Sequence, residues 1–266
     1  MKVGFLQFQP IFGQVENNLE KILKMIEKAS DFDLLVLPEL ANSGYVFSKK
    51  EELEKTSEVL PTGLFTGKLA EIAQSRNVAI VCGICEKSGD NFFNSSILLG
   101  PTGFVGKYQK IHLFDREKLF FKPGNGPLKS FEVKGVKIGM LICFDWIFPE
   151  ATRILALEGI DILAHSANLV LPYSQTAMLA RSIENRIFTI TSNRIGTEKN
   201  KGVELTFTGQ SQITSPKMEI LASAGTDTEE IKIVEIDIEL ARNKWLNERN
   251  HVLMDRRSEF YSKLIE

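Results

Sequence analysis

Cysteine is scarce in this chain, with three residues in 266, at positions 82, 85 and 143. That is too few for a disulfide framework in a protein of this length. Histidine is as rare, and His112, His165 and His251 lie far apart with no metal-ligand spacing, so no metal is expected. Net charge is nearly absent. The balance of −2 gives no electrostatic reason to expect nucleic acid or an anionic membrane as a partner. The aromatics, mostly phenylalanine, are not interleaved with lysine or arginine as a nucleic-acid surface would require. No apolar run is longer than a strand, so nothing reads as a membrane span. The N-terminus enters a strand pattern at Val3 with no apolar export segment before it. Linkers, repeats and low-complexity segments are missing too. These absences leave one domain over residues 1–266, cytoplasmic, working without a cofactor.

What is present is an ordinary core and an alternation of element types. Hydrophobic residues make up 43% of the chain, enough for one large domain. Val3–Phe8 reads as a strand, Glu16–Ser30 as a helix with Leu19, Ile22, Leu23 and Ile26 on one face, and Asp33–Glu39 as a continuous apolar strand. Helices are expected over 49–59 and 64–76, then a meander of strands over 78–85, 92–99 and 104–108. Residues 109–126 look irregular. Strand, helix and strand return over 136–142, 148–158 and 160–165, followed by a helix at 172–185 and a strand at 186–193. The remainder reads as β, with strands at 206–215, 219–223 and 231–238. The fold class is therefore α/β with a mixed sheet system.

Three reactive residues stand at strand ends, where α/β folds gather their ligands. Cys143 closes the apolar run Val136–Ile142 and precedes Phe148-Pro149-Glu150, which has the proline and acid of a helix start. Glu39 follows Leu35-Val36-Leu37-Pro38. Lys110 lies just past the strand ending at Tyr108. A lone cysteine is more often a buried small hydrophobe, and lone Glu or Lys residues are mostly solvated. A thiol at a strand-to-helix corner is nonetheless rigid and reachable, as a nucleophile must be. Cys82-Gly83-Ile84-Cys85 matches the spacing of redox and zinc pairs, but within a strand its two thiols point to opposite faces, so the structural reading is preferred.

Taken together, Leu35-Val36-Leu37-Pro38-Glu39-Leu40, Gly106-Lys107-Tyr108-Gln109-Lys110-Ile111-His112-Leu113 and Met140-Leu141-Ile142-Cys143-Phe144-Asp145 resemble the three signature segments of the nitrilase, or carbon–nitrogen hydrolase, superfamily, in its order and spacing. Leu113-Phe114-Asp115-Arg116-Glu117 resembles the segment that carries an accessory glutamate. The resemblance implies a four-layer αββα sandwich and a Glu39–Lys110–Cys143 triad supported by Glu117. The backbone N–H of Phe144 and the ammonium of Lys110 are the expected oxyanion donors. The expected substrate is a small amide, cleaved to carboxylate and ammonia through a cysteine thioester. Cys143-Phe144-Asp145-Trp146 is closer to the amidase and carbamoyl-amidase branches than to the Cys-Trp-Glu of nitrile-cleaving members. Nitrile hydrolysis, carbamoyl-amide hydrolysis and an inactive binding module are the alternatives.

Loops expected at the pocket carry Tyr45, Phe114, Trp146, Asn168 and Tyr173. Their apolar character favours neutral monoamides over anionic ones. Met178, Leu179 and Ile183 make an apolar stripe with few charges beside it, and the resemblance implies that this region pairs two copies across a two-fold axis, so a homodimer or larger homo-oligomer is expected.

Overall fold

The computed structural model describes residues 1–264. The first half builds one sheet. Its elements are β1 (Lys2–Gln7), α1 (Val15–Lys28), β2 (Leu34–Val36), α2 (Lys50–Thr56), α3 (Leu64–Ser75), β3 (Ala79–Ser88), β4 (Asn91–Gly100) and β5 (Gly103–Gln109), followed by the single-turn α4 (Glu117–Phe120). The second half supplies β6 (Phe131–Val133), β7 (Val136–Ile142), a 3-10 turn over Cys143–Ile147, α5 (Pro149–Leu157), β8 (Ile162–Ser166), α6 (Ser174–Asn185) and β9 (Phe188–Ser192). A hairpin of β10 (Thr197–Asn200) and β11 (Val203–Thr206) comes next, then β12 (Gln212–Thr214), β13 (Ile220–Ser223), β14 (Glu230–Glu235) and α7 (Glu239–Arg242).

The strands form two six-stranded sheets, β14-β1-β2-β3-β4-β5 and β13-β12-β9-β8-β7-β6. In both, parallel crossovers occupy the middle and antiparallel strands the edges. The sheets face each other, and alternation along each strand decides what goes between them. Val3, Phe5, Leu34, Val36, Ala79 and Val81 meet Ile138, Met140, Ile162, Ala164 and Ile190 in the central layer. Leu6, Leu35, Ile80 and Cys82 point the other way, onto Leu19, Ile22 and Ile26 of α1 and Phe65 and Leu69 of α3. Ala151 and Leu155 of α5 and Met178 of α6 cover the second sheet. The result is the expected αββα sandwich. Cys82 and Cys85 fall into separate apolar clusters, as opposite-facing residues of one strand do. No helix among the described residues is long and apolar enough to cross a membrane.

Four departures from the expected elements bear on the site. β2 ends at Val36 and does not reach Glu39. Pro38 has no N–H to give a ladder, and Leu40 takes a φ of 48°. The expected strand over 206–215 is interrupted because Gly209 and Gln210 both adopt positive φ, 60° and 54°, which no strand accommodates. Thr197–Thr206 forms a hairpin that the polar pattern of those residues did not suggest. The irregular stretch after β5 contains α4 and leads to β6, which pairs with β7.

Candidate active site

Cys143 sits where β7 runs out, with a φ of 42°. A left-handed conformation at a non-glycine residue costs on the order of 1–3 kcal/mol, so its surroundings must enforce it. Asp145 does much of this. Its Oδ2 accepts the Ile142 N–H at 2.8 Å and the Tyr108 hydroxyl at 2.9 Å, while Oδ1 pairs with His112 Nδ1 at 2.8 Å. His165 supports the turn from beneath, with Nε2 2.9 Å from the Cys143 carbonyl and Nδ1 3.1 Å from Thr191 Oγ1. Burial lowers the His165 pKa to about 4, so the ring is neutral. The carbonyl can only accept, so Nε2 carries the proton and Nδ1 accepts from Thr191.

Glu39 reaches the same place from the other sheet. Its turn lies directly on β3, where the Gly83 N–H bonds the Pro38 carbonyl at 3.0 Å. A Cβ at position 83 would come within 2.4 Å of the Glu39 Cα, so this approach needs glycine. Glu39 Oε1 accepts from Lys110 Nζ at 2.7 Å and Asn94 Nδ2 at 2.6 Å. Its Oε2 is buried and has no protein partner among the described residues. Lys110 follows β5 and donates also to Glu117 Oε1 at 2.8 Å. Glu117 opens α4, takes the Phe114 N–H on Oε2 at 3.0 Å and the Tyr45 hydroxyl on Oε1 at 2.8 Å. Glu39, Lys110, Glu117 and Cys143 are all buried.

This concentration of charge sets the protonation states. Burial raises the Glu39 pKa to about 7, with Lys110 opposing the rise and Glu117 adding to it. Burial alone would discharge Lys110, but Glu117 and Glu39 outweigh it and hold the ammonium above its ordinary range. Burial pushes the Cys143 thiol well up. Glu39 and Glu117 push it further, while Lys110 and the Asn168 N–H oppose them. The resting sulfur is therefore a thiol, and it needs a base to become a nucleophile.

A small cavity of about 20 Å³ opens over the thiol, lined by Phe114, Phe144, Trp146, Leu169, Val170 and Leu171 with Cys143 and Asn168. The Asn168 amide is buried, and neither of its polar atoms has a partner among the described residues. Phe144 is the second residue of the 3-10 turn, within the first turn where backbone N–H groups have no partner inside the helix. Of the expected pocket residues, Phe114, Trp146 and Asn168 line this cavity. Tyr45 is drawn to Glu117 by its hydroxyl, and Tyr173 precedes α6 at 60% exposure, outside the lining. Arg116 lines a neighbouring cavity, and its Nε is buried without a partner among the described residues.

Sequence reasoning missed Asn94, and also the buried pair of Arg194 and Glu198, 2.7 Å apart. Glu198 Oε1 accepts the N–H groups of Tyr45 and Val46, at 2.8 and 2.5 Å, which fixes the loop that carries Tyr45. The Arg194 guanidinium lies 4.0 Å from the centre of the Phe207 ring. Asn193-Arg194 followed by Gly196 and Glu198 was a legible cluster of polar residues after a strand, the one signal available.

The thiols make a direct check on this geometry. Cys82 and Cys85 have no exposed surface, whereas Cys143 is 6% exposed and borders a cavity. Brief native treatment with iodoacetamide followed by peptide mapping is expected to label Cys143 first. Labelling at Cys82 or Cys85 ahead of it would revive a redox or metal role for that pair.

The carbon-nitrogen hydrolase family model matches residues 2–244. The chain is 44% identical over 263 residues to a protein of Pyrococcus abyssi (strain GE5 / Orsay) named nitrilase, covering 98% of this chain and 99% of that one. It is 34% identical over 243 residues to the (R)-stereoselective amidase of a Pseudomonas species, covering 90% and 86%. Among solved structures, the carbon-nitrogen hydrolase of Helicobacter pylori G27 superposes with a TM-score of 0.84 at 25% identity, over 100% of this chain and 98% of that one.

Proposed function

This chain belongs to the carbon-nitrogen hydrolase family, and on that premise we propose that it hydrolyses small amides, R–CO–NH2 plus water to R–COOH plus NH3, through a thioester on Cys143. One observation carries the reading. A thiol that its surroundings keep protonated shares a buried site with a carboxylate whose pKa lies near neutrality and whose second oxygen is unpartnered. Glu39 takes the Cys143 proton as sulfur attacks the amide carbon. The developing oxyanion is met by the Lys110 ammonium and the Phe144 N–H. Glu39 then passes the proton to the nitrogen, the C–N bond breaks and ammonia leaves. Water enters, Glu39 removes its proton, the hydroxide adds to the thioester and the acid departs as the thiol recovers its hydrogen.

Glu117 completes the charge balance. With both acids ionised around Lys110 and the thiol neutral, the cluster carries one net negative charge, which favours proton uptake by a group that must act as base and then as acid. Glu117 is itself held by Tyr45 and by the Phe114 backbone, so it orients Lys110 without touching substrate.

The 44% identity to a protein named nitrilase favours a second reading, in which R–C≡N is the substrate and the same thiol and base act. Ammonia release measured across primary amides, carbamoyl compounds, anionic ω-amides and nitriles separates the two. Amides are expected to give ammonia at rates above the matched nitriles. Nitrile turnover with inert amides would replace the first reading by the second.

Two further assignments are proposals of the same kind. Three free cysteines, two fully buried, fit a reducing compartment, and we place the protein in the cytoplasm. Met178 of the α6 stripe is packed into the chain's own core, so we place the surface for a second copy instead at Ile154 and Leu157 of α5, which are 45% and 49% exposed. Light scattering is expected to give at least twice the 29.9 kDa chain mass. A clean monomer at micromolar concentration would remove the dimer.

A further inference from the structure

Two cavities meet at one side chain. The thiol cavity of about 20 Å³ and a neighbouring one of about 60 Å³ have a single lining residue in common, Phe114. Tyr45 and Glu117 line the larger chamber, with Arg116 beside them and with Phe47, Phe120 and Val203 and Leu205 of β11. It is a small chamber, and its lining is mostly apolar.

Phe114 is suited to be a removable partition. Its ring packs on the ring of Phe144, the residue after the nucleophile, with centroids 5.1 Å apart and planes tilted by 56°. A phenyl side chain has no polar atom, so packing alone holds it. The contribution of position 114 to the charged cluster is its backbone N–H, donated to Glu117 Oε2. Tyr45, the other aromatic wall near Glu117, is different. Its hydroxyl is tied to Glu117 and its backbone to Glu198, so it cannot leave without disturbing the site.

We propose that Phe114 is a specificity-determining residue that closes the thiol pocket against the second chamber and so limits the length of the acyl group. The chamber is a latent subsite for amides with extended aliphatic or phenylalkyl acyl chains. The β10–β11 hairpin, which belongs to neither large sheet, supplies the far wall. This proposal rests on the amide-hydrolysis reading.

The test compares wild type with Phe114→Ala on straight-chain primary amides from acetamide to octanamide. Alanine keeps the backbone N–H to Glu117. Wild-type kcat/KM is expected to peak among the short amides. In Phe114→Ala the peak moves to longer chains, and the octanamide-to-propanamide ratio rises about 10²-fold, the effect of three to four more buried methylenes at about fourfold each. Leu205→Trp added to Phe114→Ala should cancel that rise by filling the chamber from the hairpin. A uniform loss at every length, or a gain that survives Leu205→Trp, overturns the proposal. Should Phe114→Ala not fold, Phe114→Leu is expected to show the same shift at smaller size. If wild type releases no ammonia from any amide, the functional reading fails. Chain-length preference can then still be read from Cys143 adduct masses formed with p-nitrophenyl acyl esters, which separates the two failures.

Discussion

Replacing Cys143 by alanine is expected to lower ammonia release by at least ~10⁴-fold, to background, while the protein stays folded. Every bond change in the proposed cycle passes through this sulfur. The other two thiols are fully buried in separate apolar clusters and cannot substitute. The fold should survive, since alanine removes one small atom and the restraints on the turn come from Asp145 and His165, which remain. A loss of about 1 kcal/mol or less, a few degrees in Tm, is expected for so small a truncation. Intact mass spectrometry of wild type with a slow amide should show an acyl adduct that maps to Cys143 and is missing from the variant. A Cys143→Ala protein that still turns over amides would falsify the thioester route.

Glu39→Gln is expected to cost about 10³-fold in kcat/KM and to change the shape of the pH profile. A glutamine can still accept from Lys110 and Asn94 but cannot carry the catalytic proton. In wild type the base must be ionised to take the Cys143 proton. Activity should therefore be low below the Glu39 pKa, rise through about 7 and be higher above it. The variant should lose that limb. The sign for stability is the reverse. A carboxyl raised from 4.5 to about 7 contributes stability that is fully present below 4.5 and lost as pH rises through 7. Glu39→Gln should then gain in Tm relative to wild type between pH 5 and pH 8. An unchanged acid limb in the variant would assign the titration to another group.

The two results are informative together. If Cys143→Ala is inert and Glu39→Gln keeps normal activity, sulfur is the nucleophile but its base lies elsewhere.

How much of this was legible beforehand follows from the physics of each feature. The central strands were readable because both their faces are buried, which makes Leu34–Val36 and residues 138–142 continuous apolar runs. Cys143 and Glu39 were readable because each follows such a run, whereas Lys110 follows the mixed, half-buried β5 and stood out only at its end. The hairpin at Thr197–Thr206 was not readable, since its half-exposed polar strands leave no apolar period.

The partners of those residues are another matter. Tyr45 meets Glu117 across 72 positions, Glu198 meets the Tyr45 backbone across 153, and Asn94 meets Glu39 across 55. Tyr173, expected at the pocket, turns out to solvent, and Phe114 lines two cavities. Burial writes its period into consecutive positions and so made the strands and helices readable, while the layers and the set of Glu39, Lys110 and Cys143 were implied by the resemblance of three short segments to the carbon–nitrogen hydrolase signatures. Only the packing of one sheet on the other decided which side chains hold the charged cluster and where the pocket ends, because hydrogen bonds between distant segments leave no periodic trace along the chain.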